Sequence, residues 1–254
     1  MTKTTILSKR QIVSMSDEWY SLSSGNHFWM QWRFEIIAKL LEPHLDRSSK
    51  VLEIGCGNGI VMKQFENRFN INVDGCDLNS FAIDHLVPGL GGKVYLYDIH
   101  DRNPLLVNQY DVVFLLDVIE HIDQVEEFFE SALCHLKTNG ILVINVPAHQ
   151  SLYSKYDEVV GHKRRYGTRK LQEHFKHLNV DVINMSFWGL FLLPILFVRK
   201  YYLQIFSPKS IVQKGFEPPN SFINKIFIIL MKIEMGLFST PLSGTSLLAI
   251  VRKK

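Results

Sequence analysis

The residues best suited to chemistry follow short apolar runs. Glu53 stands two positions before the first of three alternating glycines, Gly55, Gly57 and Gly59, in VLEIGCGNG. Asp77 closes the run VDGCD, Asp98 follows KVYLY, and Asp117 opens DVIEH after an apolar stretch. His121, His149 and His162 follow such runs or lie just beyond them. Alternate glycines allow positive φ and remove the Cβ atoms that would keep a ligand off the backbone. A dinucleotide fingerprint is spaced GxGxxG and sets a pyrophosphate on a helix N-terminus. Here the spacing is GxGxG, and the Glu53 carboxylate repels a diphosphate. The pattern suits a ligand without phosphate that carries an ammonium or sulfonium. Asp77 lies 24 positions beyond Glu53, near the roughly 20-residue separation of an acid that holds ribose hydroxyls. Its two oxygens can accept from both the 2′- and 3′-OH.

These residues need a scaffold that gathers them. Val51 to Ile54 reads as a buried parallel strand, and the segment after Gly59, with Ile60, Val61, Phe65 and Phe69, as its crossover helix. Further strands are expected at Ile71–Asn79, Lys93–Ile99, Tyr110–Leu116, Ile141–Val146, Val182–Gly189 and Ser246–Arg252. An amphipathic helix precedes the first strand, from His27 to Pro43, and carries Arg33 within its apolar face. That arginine either meets an anionic partner or snorkels over Trp29 and Trp32. Asp123 is expected as the N-cap of another helix, with Glu126 completing a capping box. The outcome is an α/β fold: a doubly wound, Rossmann-like, seven-stranded sheet with every candidate ligand at its carboxyl edge. The expected parts are a flexible segment 1–26, a core 27–189, a helical apolar insertion 190–245 between strands six and seven, and a final core strand 246–254.

The acid-GxGxG turn with its downstream acids resembles motif I and the following segments of the class I S-adenosylmethionine (SAM) dependent methyltransferases, over roughly residues 27–180. The resemblance implies SAM as cofactor, held by Glu53, Gly55, Cys56, Gly57, Gly59, Asp77 and Leu78. It implies further that Asp98 and the Ile99 backbone meet the adenine, that Asp117 and Val118 line the same site, and that Arg33 reaches the methionine carboxylate. The Gly161-His162-Lys163-Arg164-Arg165-Tyr166 run is similar to a linker of a bacterial subgroup. Tyr153, Arg164, Arg165 and Tyr166 are therefore expected at the acceptor, the arginine forks matching an oxyanion. For a hydroxyl acceptor a base must sit within hydrogen-bond reach, and His121, His149 and His162 are the candidates. No metal-ligand spacing stands out.

Composition narrows the partners. With 46% hydrophobic and 21% charged residues, the chain is ordinary for a globular protein. Cys56, Cys76 and Cys134 lack metal spacing and suit reduced thiols in the cytoplasm, and MTKTTILSKR has no apolar run of signal-peptide length. Residues 1–150 hold 12 Lys and Arg against 19 Asp and Glu, a balance of −7, whereas residues 151–254 hold 16 against 6, or +10. A basic C-terminal part calls for an anionic acceptor, an anionic membrane surface or nucleic acid. Nucleic-acid amino methylation is disfavoured, because the loop after strand four reads DVIEH rather than (D/N)PP(Y/F). The longest uncharged run, Val182 to Val198, has 17 residues broken by Gly189 and Pro194, short of the ~20 that span a bilayer. With Arg199, Lys200, Lys225 and Lys232 beside it, the insertion reads as interfacial, at the inner face of the membrane, or as a packing face. The expected activity is methyl transfer to an anionic or amphipathic small molecule, lipid or lipid-linked saccharide. The competing expectation is a SAM-fold binding protein without catalysis.

Overall fold

In the computed structural model, which describes residues 4–9, 24–205, 211–213 and 219–254, one mixed sheet organises the chain. Its strands are β1 (Thr4–Ile6), β2 (Val51–Ile54), β3 (Val73–Asp77), β4 (Val94–Leu96), β5 (Tyr110–Leu116), β6 (Leu136–Pro147), β7 (Val180–Trp188) and β8 (Ser246–Lys253). The helices used below are α1 (Phe28–Leu41), α2 (Ile60–Phe69), α3 (Ser80–Asp84), α4 (Val125–His135), α5 (Lys155–Val160), α6 (Thr168–Phe175), α7 (Leu193–Tyr202) and α8 (Ser221–Leu237). Strand order is β1-β4-β3-β2-β5-β6-β8-β7. The strands from β1 to β6 pair in parallel, and β8 runs antiparallel between β6 and β7. The chain winds outward from β2 through β3 to β4, then returns to β5 on the other side. Such a reversal leaves a crevice at the carboxyl ends of β2 and β5, where open α/β sheets bind ligands.

Both faces of the central strands are covered, as a parallel sheet requires. Along β5, Val112, Phe114 and Leu116 join a core with α1 and α2, while Val113 and Leu115 join a second core with α4 and α6. Trp32, Phe65 and Trp188 fill the first, Phe129 and Tyr166 the second. A helix enters the first core from the C-terminal part: α8 sets Met231 and Phe227 against it, with the Phe227 ring 4.4 Å from that of Phe28. Glu234 of α8, buried, accepts hydrogen bonds from the Gly189 (2.7 Å) and Phe191 (3.0 Å) N–H groups. It thereby ties α8 to the end of β7.

Two expectations are corrected. The sheet has eight strands, not seven, because Thr4–Ile6 of the expected flexible segment adds to the edge at β4, Thr4 opposite Val94 and Ile6 opposite Leu96. A free edge offers unpaired backbone groups, and this β-branched tripeptide takes them. Residues 1–3 and 10–23 of that segment lie outside the described residues. The second correction concerns α4, whose cap position is Gln124 with no side-chain bond. Asp123 instead pairs with Lys163 of the basic loop.

Candidate active site

The turn after β2 is left-handed at each glycine: φ is 76° at Gly55, 54° at Gly57 and 77° at Gly59. A Cβ on Gly55 would stand 2.6 Å from Cγ2 of Val118, so β2 and the β5 loop approach as closely as they do only with glycine here. Asp77 closes the turn from the end of β3. Its Oδ2 accepts from Gly57 N–H (2.8 Å) and its Oδ1 from Asn79 N–H (2.7 Å). Burial raises its pKa against the lowering effect of those bonds. Asp98 accepts from His100 N–H (3.0 Å) just after β4, while its own N–H donates to Ser8 Oγ (2.9 Å). The N-terminal strand thus helps to hold the loop that carries Asp98.

Glu53 is only 3% exposed, and its Oε2 has no hydrogen-bond partner. Burial pushes its pKa up to about 8, opposed by the Arg33 charge, aided by Asp77 and lowered again by a bond from the Met62 backbone. An unsatisfied buried carboxylate oxygen beside a glycine turn is a place for a cationic ligand group.

Arg33 meets an anionic partner within the protein and also packs on an indole. Its Nη1 donates to Asp117 Oδ2 at 2.5 Å, and its guanidinium lies 4.7 Å from the Trp29 ring. Asp117, at φ 58°, accepts at Oδ1 from Asn145 Nδ2 (2.9 Å), and Asn145 Oδ1 accepts from Trp188 Nε1 (2.8 Å). The chain of contacts fixes the ends of β5, β6 and β7 against α1. Asn145 and Trp188, unmarked in the sequence, are as much part of it as Arg33.

The three histidines separate. His149 does not line the cavity; it stacks on Phe187 and bonds Ser243 Oγ at 2.8 Å. His121 and His162 both line it, with ring centroids 4.8 Å apart. His121 Nδ1 donates to the Gly161 carbonyl (3.2 Å), and burial, with the neighbouring His162, lowers its pKa to about 3. His162 Nδ1 bonds Asp157 Oδ1 (2.8 Å), and its Nε2 lies 3.9 Å from Glu120 Oε1. Glu120 is fully buried with neither oxygen bonded, and burial and Asp117 raise its pKa well above the ordinary range. Ligand atoms of Glu120, His121 and His162 lie within 4.8 Å of one another. The fold therefore brings together three side chains of metal-ligating type that residue spacing did not reveal.

The basic loop does not present its charges as expected. Arg165 lines the cavity, but its Nε and Nη2 bond Asp157 at 2.8 and 3.1 Å. Burial raises the Asp157 pKa, yet His162 and Arg165 together hold it below the ordinary carboxylate range. Arg164 and Tyr166 are not among the cavity residues, nor is Tyr153, whose hydroxyl donates to the His162 carbonyl (2.7 Å). Tyr166 donates to the Ile119 carbonyl (3.3 Å) from the second core.

The site residues that line a cavity share one of about 690 Å³. Glu53, Gly55, Cys56, Gly57, Asp77, Leu78, Asp98, Ile99, Asp117 and Val118 form one end, and Gly59 shapes the turn from outside it. The other end is formed by His121, His162, Tyr156 and Val160 with Leu192, Ile195, Leu196, Arg199 and Phe227. A phosphate-free nucleoside cation fits the first end on three observations. The glycine cradle has no room for a Cβ at Gly55, Glu53 has a vacant acceptor, and Asp77 faces the cavity from the strand that follows.

Comparison with known proteins agrees with this geometry. Residues 28–188 match the family model of a methyltransferase domain. The ubiquinone biosynthesis O-methyltransferase of Rickettsia canadensis is 32% identical over 119 residues, 44% of this chain and 50% of that protein. The mitochondrial enzyme of the same description from Schizosaccharomyces pombe is 26% identical over 141 residues, 52% of this chain and 51% of that protein. The chain thus spans about half the length of each of these relatives. A crystal structure of a SAM dependent methyltransferase from Archaeoglobus fulgidus shares the fold, with TM-score 0.53 at 18% identity over 89% of this chain and 98% of that one. With the family model matching residues 28–188, which hold strands β2 to β7 and the whole glycine-turn end of the cavity, the chain belongs to the methyltransferase domain family and has its Rossmann-like fold.

Proposed function

We propose that the chain transfers a methyl group from SAM to a hydroxyl oxygen of an anionic, amphipathic small molecule. The observation that carries this reading is the continuity of one cavity, from the glycine turn and Glu53 to a histidine held by a carboxylate. SAM, when bound, supplies a methyl group on a sulfonium, a strongly activated leaving group. The rest is position and proton transfer. Glu53 and Asp77 are read as the acceptors for the ammonium and ribose hydroxyls. Asp157 orients His162 so that Nε2 accepts the acceptor hydroxyl's proton as the new O–C bond forms. The O-methyltransferase relatives favour oxygen as the acceptor atom.

The test is His162→Ala, measured with an acceptor found by screening catechols and hydroxybenzoates. Loss of a general base predicts a fall in kcat of about 10²–10⁴-fold with SAM affinity retained. An unchanged kcat would remove His162 from the chemistry. The convergence of Glu120, His121 and His162 favours a second reading, in which a divalent cation held there binds the acceptor oxygen. Activity that is lost with chelator and restored by Mg²⁺ or Mn²⁺ selects that reading.

Residues 190–245 are read as the acceptor-binding lid and as a peripheral membrane contact. Among the described residues no helix is long and apolar enough to cross a membrane. Among the described residues, fourteen of the eighteen exposed large hydrophobic residues fall between Ile195 and Leu242. A patch of that kind marks an interaction surface, and Lys225 and Lys232 on α8 suit an anionic lipid.

A further inference from the structure

Three arginines line the cavity, and their pairing differs. Arg33 is held by Asp117 at 2.5 Å and Arg165 by Asp157 at 2.8 Å. Arg199, in the last turn of α7, has no carboxylate within 4.0 Å among the described residues. Its guanidinium lies 4.1 Å from the centroid of the Tyr156 ring. That ring is itself buried and packed with Val160, Leu203 and Ile211. Tyr156 attracts the cation through its ring and its hydroxyl, two contacts that use few of the five N–H donors of a guanidinium and bring no negative charge to it. The helix C-terminus also favours a positive charge here. It accounts for the sign of the charge, not for its place in the cavity wall. The cavity wall that Arg199 shares includes the apolar Leu192, Ile195, Leu196 and Phe227, while Arg165 and Asp157 act on Arg199 electrostatically without pairing with it. A partly desolvated guanidinium in such a setting calls for an oxyanion.

We propose that Arg199, stacked on Tyr156, seats the anionic group of the methyl acceptor, a carboxylate or phosphate, while the acceptor's apolar body lies along Ile195 and Phe227. The assignment rests on the methyltransferase reading of the cavity and adds the anchor to it. Arg165 is neutralised by Asp157, and Arg164 is outside the cavity, so neither takes this part.

The experiment is calorimetric titration of the full chain, saturated with S-adenosylhomocysteine, with octanoate, octyl phosphate and octanol. Wild type should bind an anionic probe about tenfold tighter than octanol, the yield of one charged hydrogen-bond partner. Arg199→Gln should abolish that preference and leave S-adenosylhomocysteine affinity unchanged. Lys200→Gln, whose ammonium bonds the Ser151 carbonyl, should retain the preference. Equal discrimination in wild type and Arg199→Gln, or none in wild type, overturns the proposal. If Arg199→Gln does not fold, the salt dependence of the wild type decides: a preference for the anion that salt leaves unchanged overturns it, and one that shrinks supports it. Failure of wild type to bind S-adenosylhomocysteine would instead sink the methyltransferase reading, while the octyl titrations without it still report on Arg199.

Discussion

The two ends of the cavity are built on different principles. At the glycine-turn end, Asp77 and Asp98 are held by neighbouring backbone N–H groups, and Asp117 by Arg33 and Asn145. At the other end the wall comes largely from α5, α7 and α8, elements that lie outside the central strands, and α7 and α8 expose long apolar side chains. One end is a fixed frame for one ligand class. The other is a largely apolar wall carrying Arg199, which no carboxylate meets within 4.0 Å among the described residues, and it is the end read here as the acceptor site. Substitutions should therefore cost stability at the first end and selectivity at the second.

The largest effect is expected where the frame is charged. Asp117→Ala leaves Arg33, 5% exposed at its side chain, without its counter-ion, and should cost about 3–5 kcal/mol of stability in denaturant melts. A cost below about 1 kcal/mol would mean that the frame does not depend on this pair. Next is Asp77→Ala, where the loss falls on the ligand. S-adenosylhomocysteine binding should weaken by about 1–3 kcal/mol, and calorimetry showing unchanged affinity would take Asp77 out of the site.

The smallest effect on stability is predicted at the other end. Ile229, 56% exposed on α8, should tolerate Asp within about 0.5 kcal/mol, yet lose flotation with anionic vesicles. Retained flotation, or wild type that never floats at low salt, would remove lipid from the account. Phe227 is a poor choice for this test, because it packs on Phe28 and would report on folding instead.

The same division decides what was legible in the sequence. Glu53, the glycines, Asp77 and Asp98 could be placed because each stands at or just beyond the carboxyl end of a strand, so chain order alone sends it to that edge. Asn145 and Trp188 could not, since Asn145 matters through its bond to Asp117, 28 residues away, and Trp188 through its bond to Asn145. Asp157 was hidden in the same way: its partners His162 and Arg165 were visible as chemistry, but their mutual neutralisation depends on how α5 packs. Arg199 looked like the flank of an interfacial segment, and only the fold turns it toward Tyr156. The eighth strand was missed because three residues of β propensity at an edge carry little pattern.

The central claim is that the glycine-turn end binds SAM through Glu53 and its neighbours. Titration of the purified chain with S-adenosylhomocysteine and with NAD, between pH 6 and 9 in buffers of different ionisation enthalpy, tests it most directly. Because Glu53 has its pKa pushed up to about 8, it is protonated below that pH in the ligand-free protein. A ligand ammonium favours its charged form, so binding should release a proton below about pH 8. Affinity should then rise with pH by up to about tenfold per unit, levelling off above that point. The account predicts such proton-linked binding of S-adenosylhomocysteine at about micromolar levels, with NAD negligible and the linkage lost in Glu53→Gln. Absence of S-adenosylhomocysteine binding, or NAD binding of equal strength, would contradict it.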